Sequence, residues 1–534
     1  MSQKADILSD LDPEQLSAAQ ALSGPVAIIA GPGSGKTRTI SYRIAHGVQS
    51  GAYNPARVLA LSYTNRAAAE IRVRLRQLGV GSVQVRTFHS AALAQLQYFW
   101  PQLTGYSAPK LLSSKRPVIA EAANSLRLKL GDSEVGELAA EIEYLRYSLS
   151  DIDSYAESGR LPSFISLEKF SELEQKYLAL KQERRLIDWE DAILLCTGML
   201  RNEPKALSHF EAQYRHFTVD EYQDISPLQQ GLLETWLGER EEVCVVGDPR
   251  QNIYSFAGAD SSFLTGFEQR YANAQVFELS RNYRSGVEIV NLANRVLPDL
   301  PLISVRALQG EIEVFQGSDS ESIQRVVGEI SKSSSLGQIA ILARTNALLE
   351  PYERALSEAG IVFQVKGQGR FFRRPEVMQA MSAIRALGVG ALDQPLFAAV
   401  SNIVSQLGWT SKPSSEERWL ALQWFVDVLD ELGEPSLDEY IRELAERERS
   451  GHEPQRDAVT LATIHGTKGL EFETVFLVGV NEGSFPSPYA RTEAELAEER
   501  RLFFVAVTRA KNRLRISSSK SKPSPFLALV DSHS

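Results

Sequence analysis

Short apolar runs alternate with stretches of helical period along this chain, and the alternation happens twice. Val26–Ala30 reads as a buried strand that runs into a Gly-rich turn, with a helix over 38–48 behind it. Val58–Ser62 is a second strand, followed by a helix over 65–78. Two further strands, 217–220 and Val243–Gly247, end on or beside an acidic residue. After about residue 275 the pattern restarts, with strands at 276–279, 339–342, 474–480 and 514–517. Strands alternating with helices build parallel sheets covered by helices, so the predicted class is α/β with two lobes. Two stretches break the rhythm. Residues 91–205 carry long 3.6-residue patterns, as over 170–180, and almost no strand signal. Residues 386–454 are helix-rich over 416–432 and 437–449. Both read as insertions. The first lobe is then 1–90 with 206–275, interrupted by 91–205; the second is 276–385 with 455–534, interrupted by 386–454.

Composition narrows the class. Hydrophobic residues make up 43% of the 534 and charged residues 23%, which is ordinary for a soluble globular protein. Every apolar run is too short to span a bilayer, and residues 1–12 have neither a basic nor an apolar segment of a secretion signal. Cys196 and Cys244 lie far apart, with no zinc spacing and no disulfide framework, which fits a reducing, cytoplasmic setting. The net charge of −10 argues against a protein that simply coats DNA. A motor that releases its track every cycle is still allowed, because a local basic and aromatic groove serves it better than a uniformly basic surface.

The candidate chemistry begins after the first strand. Gly31-Pro-Gly-Ser-Gly-Lys-Thr37 lies between a strand and a helix, the setting a phosphate-binding loop requires. Gly31, Gly33, Ser34 and Gly35 let backbone N–H groups converge on phosphate oxygens at a helix N-terminus. Lys36 would reach the β- and γ-phosphates of ATP, and Thr37 would hold Mg²⁺ through its hydroxyl. Asp220 at a later strand end is the partner acid for Mg²⁺, and Glu221 beside it is placed to deprotonate the attacking water. Motors of this kind also need a cation delivered to the γ-phosphate. Arg284 and Arg509 are candidates, although spacing alone does not separate them from the chain's other arginines.

In this order the motifs resemble those of superfamily 1A helicases of the UvrD/Rep/PcrA type. Leu11-Asp-Pro-Glu-Gln-Leu16 is similar to the family's adenine-reading Q motif, and the phosphate loop follows it. Ser62-Tyr-Thr-Asn-Arg-Ala-Ala-Ala69 and Arg86-Thr-Phe-His-Ser90 resemble motifs Ia and Ib. Asp220-Glu-Tyr-Gln-Asp224 resembles motif II, Val246-Gly-Asp-Pro-Arg-Gln-Asn-Ile-Tyr254 motif III and Leu279-Ser-Arg-Asn-Tyr-Arg-Ser285 motif IV. Thr463-Ile-His-Gly-Thr-Lys-Gly-Leu-Glu-Phe472 resembles motif V, and 499–510 resembles motif VI.

The resemblance implies two RecA-like lobes and a role for each motif residue. Gln15 would read adenine, Gln251 would sense the γ-phosphate, and Arg284 and Arg509 would be arginine fingers. Tyr283 and Arg38 would sandwich the adenine, and Glu471 would accept from the ribose hydroxyls. Tyr63, Tyr254, Phe256 and Trp189 would stack on DNA bases, each with core packing as its alternative. Thr87, His89 and His465 would contact the phosphodiester backbone.

The function implied is an ATP-dependent 3′→5′ DNA helicase and single-strand translocase in repair, replication or recombination. Its expected partners are single-stranded DNA, 3′-tailed duplex and repair or replication proteins, with no membrane and a monomer or weak dimer. Alternatives are a translocase that strips proteins with little unwinding, or the helicase subunit of a helicase–nuclease complex. Three departures stand out. Ser255-Phe-Ala-Gly-Ala259 replaces the usual Gly-Trp-Arg-Gly-Ala, so Ala257 removes a charged contact, and Asp12 stands where Asn is usual. The insertion at 386–454 is shorter than the family's 2B subdomain and the chain stops at Ser534, soon after motif VI, so translocation is expected to dominate over processive unwinding.

Overall fold

The computed structural model describes residues 7–366, 371–387, 394–412, 417–433, 435–450 and 457–530. By internal contacts the chain divides into two compact units. One comprises Met1–Ile28, Thr39–Thr64 and Arg74–Phe277; the other comprises Ile29–Arg38, Asn65–Val73 and Glu278–Ser534. The Gly-rich loop therefore groups with the second unit.

The first sheet has six strands: β1 (Val26–Ala30), β2 (Val58–Ser62), β3 (Gln84–Thr87), β4 (His216–Val219), β5 (Val243–Gly247) and β6 (Gln275–Leu279). Their order is β3-β2-β4-β5-β1-β6, and β2–β3, β2–β4 and β4–β5 pair parallel. β2 and β5 are buried at every position. That is why they read as unbroken apolar runs rather than alternating ones. β6 differs from the expectation for 276–279: it forms the edge of the first sheet, not a strand of the second. Leu279 is its one buried residue, and Gln275 N–H donates to the Pro25 carbonyl at its start. A strand with so little buried surface carries no sequence signal for which sheet it joins.

The helical stretch after β3 has its own core. Phe170, Leu173 and Tyr177 of helix Leu167–Glu183 pack with Val118, Ile119, Leu138 and Ile142 from helices Arg116–Ser125 and Asp132–Ser148. A short parallel pair, Lys110–Leu111 with Leu186–Ile187, lies in this region where the sequence carried almost no strand signal. Cys196, in helix Trp189–Asn202, and Cys244, in β5, are both free and fully buried, and burial pushes both thiols upward from their ordinary range.

In the second unit lie β7 (Glu311–Gln316), β8 (Ile339–Ala343), β9 (Phe363–Val365), β10 (Val459–Thr463), β11 (Phe472–Leu477) and β12 (Ala510–Ser518). Their order is β7-β12-β11-β8-β10-β9, and every adjacent pair is parallel. β8 at the centre is buried throughout. Helices Pro375–Ala386, Leu396–Gln406, Glu417–Leu432 and Leu437–Ser450 form a helical group around Ile384, Val400, Trp424, Phe425 and Tyr440. Glu416, expected to start one of these helices, lies outside the described residues, as does Ser534. Among the described residues no helix is long and apolar enough to cross a membrane.

Candidate functional site

The loop after β1 turns with φ of +72° at Gly33 and +84° at Gly35, backbone that residues with a Cβ rarely adopt. Ser34 is buried and its hydroxyl donates to the Gly31 carbonyl at 2.8 Å. Lys36 Nζ lies 3.3 Å from the Ala30 carbonyl and 3.5 Å from that of Gly31, folded over its own loop. Gly33 has a second reason to lack a side chain. A Cβ there would come 2.7 Å from Cβ of Arg284 and 2.8 Å from Nδ2 of Asn282.

Asn282 is the tie between this loop and Arg284. Its Nδ2 donates to the Pro32 carbonyl at 2.7 Å, while its Oδ1 accepts from the N–H groups of Arg284 and Ser285. Tyr283 N–H donates to the Gly33 carbonyl, and Tyr283 is 44% exposed. Arg284 Nε sits 2.6 Å from a Glu471 carboxylate oxygen, and Lys511 Nζ lies 2.9 Å from the other oxygen. Burial opposes the ionised form of Glu471, but Arg284 and Lys511 outweigh it and hold the carboxyl below its ordinary range. Arg509 is buried and donates to the carbonyls of Val505 and Leu470, so it braces the segment that carries Glu471.

In the first unit, Asp220 and Glu221 follow β4. Glu221 adopts φ +53°, a left-handed conformation that costs a non-glycine residue about 1 kcal/mol or more. Its N–H donates to Asp220 Oδ1, and its carboxylate accepts from Gln223 Nε2 at 2.6 Å. Gln223 Oε1 accepts from the Asp248 N–H at 3.0 Å. Asp248 Oδ2 accepts from Gln251 Nε2 at 2.9 Å, and its Oδ1 pairs with Arg250. Asp220, Glu221 and Gln251 are thus joined in one network, buried except at the half-buried Glu221. Gln223, Asp248 and Asn282 lay inside quoted motifs, but nothing in their residue type assigned them these tasks.

Thr37 and Arg38 sit in the first turn of helix Lys36–Gln49, half-buried. A hydroxyl such as that of Thr37 and a carboxylate such as that of Asp220 are each hard oxygen donors of the kind Mg²⁺ takes beside phosphate oxygens. Gln15 is buried in helix Pro13–Gln20. Asp12 caps that helix by accepting from the Gln15 N–H at 2.9 Å, a task Asp and Asn perform equally well.

The aromatic candidates divide. Tyr63 and Tyr254 stack at 5.7 Å between ring centroids, and Phe256 follows 6.1 Å from Tyr254 with 49% of its surface exposed. Trp189 is 7% exposed, edge-on to His89, whose Nε2 lies 2.6 Å from the Tyr147 hydroxyl. Thr87 caps helix Phe88–Thr104 in a capping box with Ser90. Packing and capping thus engage Thr87, His89 and Trp189 within the protein. His465 is half-buried. Burial first, then Arg344 and Lys468, pull its imidazole down to about 4, leaving it neutral at pH 7. Sequence reasoning missed Arg160. Its guanidinium is bidentate on Glu141, lies 3.8 Å over the Tyr144 ring, and donates to the Phe256 carbonyl at 2.9 Å. A cation therefore stands beside the loop where Ala257 has none.

The UvrD/REP helicase N-terminal domain matches residues 11–272, and the UvrD-like helicase C-terminal domain matches 277–388 and 392–521. The chain belongs to the UvrD/REP helicase family. It is 38% identical to "ATP-dependent DNA helicase UvrD2" of Mycobacterium tuberculosis over 570 residues, 98% of this chain and 81% of that protein. It is 27% identical to "ATP-dependent DNA helicase PcrA" of Bacillus subtilis over 623 residues, 97% of this chain and 84% of that one. The UvrD-type membership accounts for two parallel sheets flanked by helices, the form of two RecA-like lobes.

Proposed function

We propose that this UvrD-family chain is a 3′→5′ translocase on single-stranded DNA that unwinds 3′-tailed duplex at the expense of ATP. As a member of the family it is an ATP-dependent DNA helicase; polarity, track and pathway are the finer reading. The observation that supports it most is the tie through Asn282, which holds Arg284 against the phosphate loop.

The residues divide the work as follows. Lys36 and the N–H groups of 33–37 bind the phosphates, with Tyr283, Arg38, Gln15 and Glu471 holding adenosine. Thr37 and Asp220 would hold Mg²⁺, which when bound offsets phosphate charge. Glu221 takes the proton of the attacking water, and Gln251 senses the γ-phosphate. Arg284 leaves Glu471 for the γ-phosphate, which frees Glu471 for the ribose. Arg509 serves as the second finger by releasing the Leu470 carbonyl. Tyr63, Tyr254 and Phe256 grip bases by their faces, a sequence-independent hold.

On 3′-tailed, 5′-tailed and blunt substrates, displacement is expected from the 3′ tail alone. Equal displacement from a 5′ tail would end the polarity assignment. ATP turnover on the 3′ tail without displacement would leave a translocase that clears proteins from single strands. For the DNA grip, Arg160→Ala is expected to weaken binding of oligodeoxythymidine about threefold to tenfold, a part of what one stacked base contributes. An anisotropy titration checks this; unchanged affinity would mean that the Phe256 loop keeps its shape without the guanidinium.

A further inference from the structure

We infer that Gln223 is a positioning residue that sets the catalytic orientation of Glu221 and makes it depend on the Asp248–Gln251 turn. The inference rests on the proposed role of Glu221 as the base. Gln223 is fully buried, and the hydrogen bonds fix which way its amide points. The Asp248 N–H can only donate, so the atom facing it at 3.0 Å is the amide oxygen. The amide nitrogen then faces Glu221 at 2.6 Å and Asp224 at 3.3 Å, donating to both carboxylates.

Two features show that the surroundings are shaped for this amide. Gly247 ends β5 without a side chain, and a Cβ there would lie 2.4 Å from Gln223 Oε1. Glu221 is held in left-handed backbone, a conformation that persists only where neighbours over-determine it. The Gln223 bond and the Asp220–Glu221 N–H bond are two such restraints. From Glu221 the chain of contacts runs through Gln223 to the Asp248 backbone, and from the Asp248 carboxylate to Gln251. A shift of Gln251 toward a γ-phosphate pulls on Asp248, and the amide carries that shift to the base. The carboxylate is thereby aligned for its water only when the Gln251 turn is in its engaged position.

The test is steady-state ATP hydrolysis of the full chain with saturating oligodeoxythymidine, for Gln223→Met, Gln223→Glu, Glu221→Gln and the double variant Glu221→Gln with Gln223→Met. Met keeps the volume and loses the donor; Glu keeps the shape and turns an oxygen toward the Glu221 carboxylate. Gln223→Met is expected to lower kcat about tenfold to a hundredfold, the scale of misplacing a reacting group, and Gln223→Glu further. KM for ATP and the oligonucleotide affinity should stay within about twofold, because the loss falls on the chemical step alone. In the Glu221→Gln background, Gln223→Met should cost nothing more.

Gly247→Ala presses on the same amide from the strand side. It should give the same kcat-only loss in a chain whose Gln223 is intact, and it carries the test if Gln223→Met fails to fold. A Gln223→Met rate within about twofold of the parent, beside an inactive Glu221→Gln, overturns the inference and leaves the base assignment standing. Losses that multiply in the double variant also overturn it. A Glu221→Gln chain with the parental rate overturns the base assignment itself.

Discussion

Arg284→Ala is expected to slow ATP turnover about a thousandfold while leaving ATP bound, the low end of what an arginine finger contributes. The geometry sets Arg284 apart from the chain's other arginines. Its backbone is fixed by Asn282, the same side chain that grips the phosphate loop at Pro32, and its Cβ lies where a Gly33 side chain would be. Its guanidinium is paired with Glu471, the partner it has to release to reach phosphate. Lysine at 284 should recover only part of the rate, because it keeps the charge and loses the planar fork. Phosphate-release kinetics beside a fluorescent-ATP titration measure both quantities. A loss of under about tenfold would assign the finger role elsewhere, with Arg509 next in line.

The second large effect is Glu221→Gln, which should hydrolyse at least about a hundredfold more slowly with ATP and DNA affinities kept, the range for losing a general base. Gln preserves the shape, and its amide oxygen can accept from the Gln223 Nε2 as the carboxylate does, so the left-handed turn survives. Single-turnover hydrolysis separates this from a binding defect. A variant that loses ATP affinity to the same degree would instead mark Glu221 as part of the phosphate pocket.

The Gly-Lys-Thr loop and the acidic strand end were legible because their meaning is local: a few adjacent residues and the elements flanking them define the chemistry. The apolar runs of β2, β5 and β8 were equally plain, since strands buried on both faces cannot hide in the sequence. What could not be read depends on partners far along the chain. Asn282 matters through a carbonyl at Pro32, and Arg160 through one at Phe256, and no pattern near either residue points there. β6 joined the other sheet because one buried leucine says nothing about its neighbours. The edge-on packing of Trp189 against His89 joins residues about a hundred positions apart and is equally silent in the local pattern.

The two interior thiols have a practical meaning for watching such a machine at work. Cys196 and Cys244 have no route to a water-borne maleimide while the chain stays folded, so the native protein needs no cysteine removal before labelling. A single thiol introduced at an exposed position such as Tyr489 would carry a dye on an otherwise silent background. Any signal then reports one chosen point on the moving chain.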